Sequence, residues 1–371
     1  MIRAVLVVSR YHIPLVNQII DQQNVQIVAI VTDNRSIAIE SGCPSEIAFS
    51  FWQLKTVLEI FDFDYLIVLS FYGKTFDLCK VALHDINLPM IKLCNLSEYP
   101  AKTTIDLLAC LHDLKRNSTK YKIFATGISY SQLGIVPENF ELPVINFAFT
   151  SQDLYYDFQI AKKIIQISTS LSRKNFEEFQ YTLTGLAPYS LHYDLSRCNR
   201  ESYVLSKYLF ALNDLHNYWI DAKIMHQILL PEFVEEHKSK SENLDYRPEF
   251  STDTISLGNA IEAYYKIDEW NRKNYPETVS ENKQILEKYL QLLESNRIFP
   301  ILFLPPMMKD YQDRFCREKL RELIFFLKEL LQSYDFIFIN GWMLDGFDDC
   351  DFRDIDHLNV YGSQKFSIVV S

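Results

Sequence analysis

Gly127-Ile128-Ser129 follows the apolar run Ile123-Phe124-Ala125, and Asp354-Ile355-Asp356-His357 stands near the far end of the chain, ahead of Gly362. A serine just past a strand end, on a turn released by glycine, faces a cleft instead of a core. Serine is a poor nucleophile until a base takes its proton. His357 supplies that base. At the D-x-x-H spacing the imidazole turns one nitrogen toward the serine, while Asp354 accepts from the other and fixes the tautomer. Asp356 is a competing partner, but as the immediate neighbour it is expected to point away. Gly-x-Ser also arises by chance, and many strand-end serines only cap helices. The chemistry predicted from the full set is acyl transfer through a serine nucleophile.

These residues need a scaffold, and the chain alternates strand and helix twice. Residues 1 to about 105 predict strands at Ala4–Val8, Val25–Val31, Tyr65–Leu69 and Met90–Leu93, with helices at Ile13–Gln22, Trp52–Phe61 and Phe76–Leu83. A helix over 101–116 leads to a second series. Its strands are Lys122–Thr126, Val144–Phe149, Tyr181–Leu186, Arg297–Leu304 and Phe336–Ile339, with helices at Gln152–Ser168 and Phe315–Leu331. Apolar strands alternating with helices predict parallel sheets covered on both faces. The expected fold is α/β, two doubly wound parallel-sheet domains at 1–118 and 119–371. The stretch from Asn199 to about Ser280 shows no strand and is rich in Tyr and Trp. It reads as a helical insertion with an exposed loop at Glu235–Arg247, either a cap over the site or a solvated subdomain. Ser129, Asn146, Ser151, Gly185, Asp354 and His357 all fall near carboxyl ends of strands in one sheet, where open α/β sheets place their sites.

Other chemistries find less support. The first turn, Ser9-Arg10-Tyr11-His12, has no glycine to let a pyrophosphate approach the backbone, although Asp33 ends the second strand where a ribose-binding acid can sit. A structural or partner-binding first domain is predicted. His12, His84, His112, His192, His216, His226 and His237 show no ligand spacing, so neither metal nor other cofactor is expected. The acidic run Asp345, Asp348, Asp349, Asp351 lacks the pattern of a calcium loop and reads as solvated. Arg173, Arg197, Arg200 and Lys207 are the cations available for a phosphate or a sugar carboxylate.

A formal charge of −11 over 371 residues argues against broad nucleic-acid binding and against docking on anionic lipid. Seven cysteines, an odd number without a C-x-x-C pair, fit reduced thiols and a cytoplasmic location. Met1–Val8 reads as a strand and not as an export signal, and no apolar run approaches the ~18 residues of a membrane span. Homo-oligomer formation is compatible with all of this.

Over roughly residues 120–371 the chain resembles the SGNH (GDSL-like) hydrolase superfamily. The resemblance rests on Gly127-Ile128-Ser129, on Asn146 through Gln152, on Gly185-Leu186-Ala187-Pro188-Tyr189-Ser190, on Leu304-Pro305-Pro306, and on Asp354-Ile355-Asp356-His357 with Gly362. It looks closest to divergent members from bacterial surface-polysaccharide and teichoic-acid loci, and the Rossmann-like first domain, with Phe63-Asp64-Tyr65-Leu66-Ile67-Val68, resembles N-terminal domains often attached to such enzymes. It implies Ser129 as nucleophile, His357 as general base, Asp354 as its orienter and the Ser129 N–H as first oxyanion donor. It further implies an esterase or O-acyltransferase acting on an acylated, typically acetylated, sugar precursor. The chain departs from the family pattern at Ile128, where an aspartate is usual, at Ser151, where a glycine is usual, and at Ala187-Pro188-Tyr189, where an oxyanion-hole asparagine is missing. Asn146 and Tyr189 are the possible substitutes. With that donor lost, a catalytically inactive glycan- or partner-binding protein is the alternative.

Overall fold

The computed structural model describes residues 1–69, 73–86, 93–96, 102–117, 120–171, 179–198, 207–218, 220–242, 244, 246, 248–254, 257–272 and 275–371. The chain forms two compact units, Met1–Leu108 with Asn199–Leu244, and Ala109–Cys198 with Asp245–Ser371. Each is built on a five-stranded sheet in which every pair is parallel.

In the first unit the strands are β1 (Ile2–Val8), β2 (Val25–Thr32), β3 (Ala48–Ser50), β4 (Tyr65–Leu69) and β5 (Leu93–Asn95). Their order, β3-β2-β1-β4-β5, matches the first five strands of the Rossmann order 3-2-1-4-5-6. Val5, Val7, Val31, Leu66 and Val68 pack one sheet face on Leu54, Val57, Cys79 and Leu83 from the helices Leu54–Ile60 and Gly73–Asp85. The predicted helix Ile13–Gln22 is shorter, a 3-10 turn at Ile13–Leu15 followed by Val16–Ile19. It stops because Ile20 turns extended and bridges Leu229, with Leu230 N–H donating to Ile19 O at 2.8 Å. Those bonds attach the turn between the helices Ala222–Ile228 and Pro231–Ser241 to the first unit. The stretch read as one insertion at 199–280 therefore divides, and only its part after 244 belongs with the second sheet. The two units divide within the helix Lys102–Arg116. The loop expected at Glu235–Arg247 begins as helix, since Pro231–Ser241 is helical with Pro231 in its first turn. The strand expected from Met90 is described only at Leu93–Asn95, and Met90 lies outside the described residues.

The second unit carries β6 (Ile123–Gly127), β7 (Val144–Asn146), β8 (Tyr181–Gly185), β9 (Phe299–Leu304) and β10 (Ile337–Asn340). Their order is β10-β9-β8-β6-β7, the flavodoxin-like 2-1-3-4-5 arrangement. Side chains alternate between its faces. On one, Thr126, Thr182 and Thr184 meet the Tyr289 hydroxyl at 3.1, 3.4 and 2.9 Å. Tyr289 belongs to the helix Pro276–Ser295. On the other, Phe303 meets Phe366 of the final helix, Val360–Val370, edge to face. Helices thus cover both faces.

Gly127 and Gly185 pair at the carboxyl ends of β6 and β8, the switch point of this strand order. A Cβ on Gly185 would stand 1.6 Å from Ser131 Oγ and 2.9 Å from the Phe303 ring. Gly185→Ala is therefore expected to destabilise the protein by about 1–3 kcal/mol, as overpacking does. A lowered thermal-unfolding midpoint would show it, and an unchanged midpoint would mean that the contact relaxes freely. Among the described residues no helix is long and apolar enough to cross a membrane.

Candidate active site

β6 ends at Gly127 with φ +128°, a conformation open to glycine and strained for any side chain. The space is also closed, since a Cβ there would lie 2.4 Å from Ser131 Oγ and 2.5 Å from Gly185 O. Ile128 is extended and buried, and Ser129 is the first residue of the helix Ser129–Gly134. At that first position the Ser129 N–H has no intrahelical acceptor. Beneath the turn lies Asp157, a buried acid packed among Leu154, Tyr156, Ile160, Ala161 and Ile164 of the helix Leu154–Leu171. It accepts from Gln152 Nε2 at 2.7 Å and from the Gly127 N–H. Burial pushes its pKa up to about 8.

The partner loop is closed on itself. Phe352 bridges Leu358, and Arg353 N–H donates to His357 O at 3.0 Å. Asn359 caps the last helix through the Tyr361 and Gly362 N–H groups and donates to Cys350 O at 2.7 Å. Gly362 is needed there, because its Cβ would lie 2.2 Å from Asp351 O. Ser251 O accepts from the Val360 N–H at 2.9 Å and Asp253 O from Asn359 at 3.3 Å, so the segment 248–254 braces the same corner.

These two supports bring Ser129, His357 and Asp354 together. Ser129 Oγ is 2.9 Å from His357 Nε2, and His357 Nδ1 is 2.9 Å from Asp354 Oδ1. Asp354 Oδ1 also accepts from the backbone N–H groups of His357 at 2.8 Å and Asp356 at 3.2 Å. Burial works against the Asp354 carboxylate, but the hydrogen bonds and charge of His357 and the donors at Asp356 hold its pKa below the ordinary range. His357 is also partly desolvated, which favours the neutral ring. The Asp356 and Asp354 carboxylates outweigh that and raise its pKa to about 10.

Asp356 does not point away as expected from the sequence. Its Oδ1 lies 3.1 Å from His357 Nδ1, and its Oδ2 accepts from the Tyr130 hydroxyl at 2.9 Å. The loop closure turns it inward, and the buried Tyr130 hydroxyl holds it there. Asp354, Asp356 and His357 bring donor atoms within 4.8 Å of one another, but each is already engaged in these hydrogen bonds.

The two possible substitutes for the missing asparagine are otherwise occupied. Asn146 Nδ2 donates to Ser131 O and Gln132 O at 3.5 and 3.4 Å, tying β7 to the serine helix. The Tyr189 hydroxyl lies 3.1 Å from that of Tyr130, and its ring stacks on Trp270 with centroids 4.1 Å apart. Ser151 takes φ +62°, the left-handed conformation that favours glycine. Its carbonyl accepts from the Tyr193 hydroxyl at 3.1 Å.

Elsewhere the proposed contacts are structural. Asp33 spends both oxygens on Arg10, at 2.7 Å to the N–H and 2.8 Å to Nε. His192 meets Glu322 at 3.0 Å, which also pairs with Lys283. Arg197 pairs with Asp194, and Arg173 and Arg200 lie outside the described residues. Asp351, expected in a solvated run, is buried and paired with Lys365 at 2.8 Å. Tyr130 and Asp157 enter the site only with the structure. An acid on an apolar helical face was the available signal for Asp157; Tyr130 carried none.

No protein-family model and no curated protein matches this sequence. A solved structure described as "a putative platelet activating factor from Streptococcus pneumonia" is similar over 73% of this chain and 92% of its own, at 11% identity and a TM-score of 0.39.

Proposed function

We propose that the chain is a serine esterase or O-acyltransferase of SGNH type. The observation that carries this reading is the continuous hydrogen-bond path from Ser129 through His357 to Asp354. Ser129 Oγ attacks the ester carbonyl as His357 Nε2 takes its proton. His357 then passes that proton to the departing alcohol, leaving an acyl group on Ser129. Water or a second hydroxyl, deprotonated by the same nitrogen, takes the acyl group and restores the serine. In this reading the Ser129 N–H, as the family resemblance implies, donates to the developing oxyanion, with the Ser151 N–H as its partner donor. The narrower assignment, an O-acetyl group on a sugar of a surface-polysaccharide precursor, comes from the family resemblance alone.

One observation favours the second reading, a glycan- or partner-binding protein without turnover. Neither Asn146 nor Tyr189 has a donor free for the oxyanion, and losing one such donor costs about 10²–10³-fold in rate. Fluorophosphonate labelling decides between them. The folded protein is expected to label once per chain, at Ser129 by peptide mapping, and to release acetate from acetylated sugars or aryl acetates. Absence of labelling from neutral pH up to about pH 10 would favour the binding reading.

A further inference from the structure

Two carboxylates converge on the side of His357 that faces away from Ser129. Nδ1 lies 2.9 Å from Asp354 Oδ1 and 3.1 Å from Asp356 Oδ1. Each has its own anchor. Asp354 is fixed by backbone N–H groups of its own loop. Asp356 is fixed by Tyr130 of the serine helix, whose hydroxyl also meets that of Tyr189 after β8. The Tyr130 ring lies against the imidazole, with centroids 4.9 Å apart. One Nδ1–H cannot satisfy two anions linearly, and a ring between two negative charges gains more from a second proton than a ring facing one. The remaining groups around the cluster do not cancel this. Arg353 Nε is 3.8 Å from Asp354 Oδ2 on a half-exposed side chain. Tyr130, Tyr189 and Tyr311 are buried phenols whose pKa values burial pushes up, so they stay neutral.

Resting on the serine-hydrolase reading, we propose that Asp356 is a positioning residue that holds His357 as an imidazolium at rest, so that the base becomes available only as the pH rises. Activity should then follow a single ascending limb set by deprotonation of His357. The sign for Asp356→Asn is fixed, because removing a negative neighbour lowers the histidine pKa and moves the limb to lower pH.

The test titrates the His357 ring protons by NMR in the full chain, in the wild type, Asp356→Asn and Asp356→Ala, beside fluorophosphonate labelling rates over the same pH range. Both variants are expected to lower the His357 midpoint by about one pH unit or more. Labelling at neutral pH should rise by up to about tenfold for each unit of that shift. A midpoint that stays or rises in both variants overturns the proposal. Failure of the wild type to label at any pH would count against the serine-hydrolase reading, whereas the NMR midpoints judge Asp356 by themselves.

Discussion

Ser129→Ala is expected to abolish fluorophosphonate labelling and to lower ester turnover by at least about 10⁴-fold, with the thermal midpoint close to that of the wild type. The stability claim follows from position. Ser129 is partly exposed at a helix start, and its hydroxyl reaches only His357 among the described contacts. The rate claim follows from chemistry, since no bond to the acyl group forms without the oxygen. His357→Ala should cost a similar factor, because the two residues act as a unit, and the double variant should be scarcely slower than either. Measured kcat/KM on an aryl acetate checks all three. A Ser129→Ala protein that still turns over ester would remove the nucleophile assignment.

Much of this arrangement was legible in the residues. Near-continuous apolar runs such as Val25–Val31 mark strands buried on both faces, and they fixed the α/β class and most strands. The D-x-x-H spacing placed Asp354 beside Nδ1 because that contact is local. Contacts that depend on distant chain could not be read in this way. The short edge strand Ala48–Ser50 has no periodicity of its own and exists through pairing with β2. The turn after Ile19 is set by Leu229 and Leu230, and the sequence around Gln22 carries no sign of them. The inward turn of Asp356 depends on distant chain in the same way. Local geometry alone sends adjacent side chains apart, but a loop closed by Phe352 and Leu358, and a tyrosine on the serine helix, turn this one inward. The partners of Asn146 and Tyr189 carry no sign in the sequence, because both side chains bond to the serine helix from other strands' ends.

Replacing both carboxylates, Asp354→Asn with Asp356→Asn, is expected to lower kcat/KM by about 10⁴-fold, the loss typical when a triad histidine has no anion to hold its tautomer. Asp354→Asn alone should cost far less, on the order of 10², because Asp356 Oδ1 remains 3.1 Å from Nδ1 and is anchored independently by Tyr130. Asparagine at 354 also keeps an oxygen for the two backbone N–H groups, so the loop should stay closed. The two positions therefore differ in sign at neutral pH. Loss of Asp356 frees the base, loss of Asp354 weakens its orientation, and loss of both removes it. If Asp354→Asn by itself were as slow as the double variant, Asp356 would hold charge without holding the ring. If neither single nor double variant changed the rate, the path from Ser129 to Asp354 would be a hydrogen-bond network of the fold, and the base would have to be sought elsewhere.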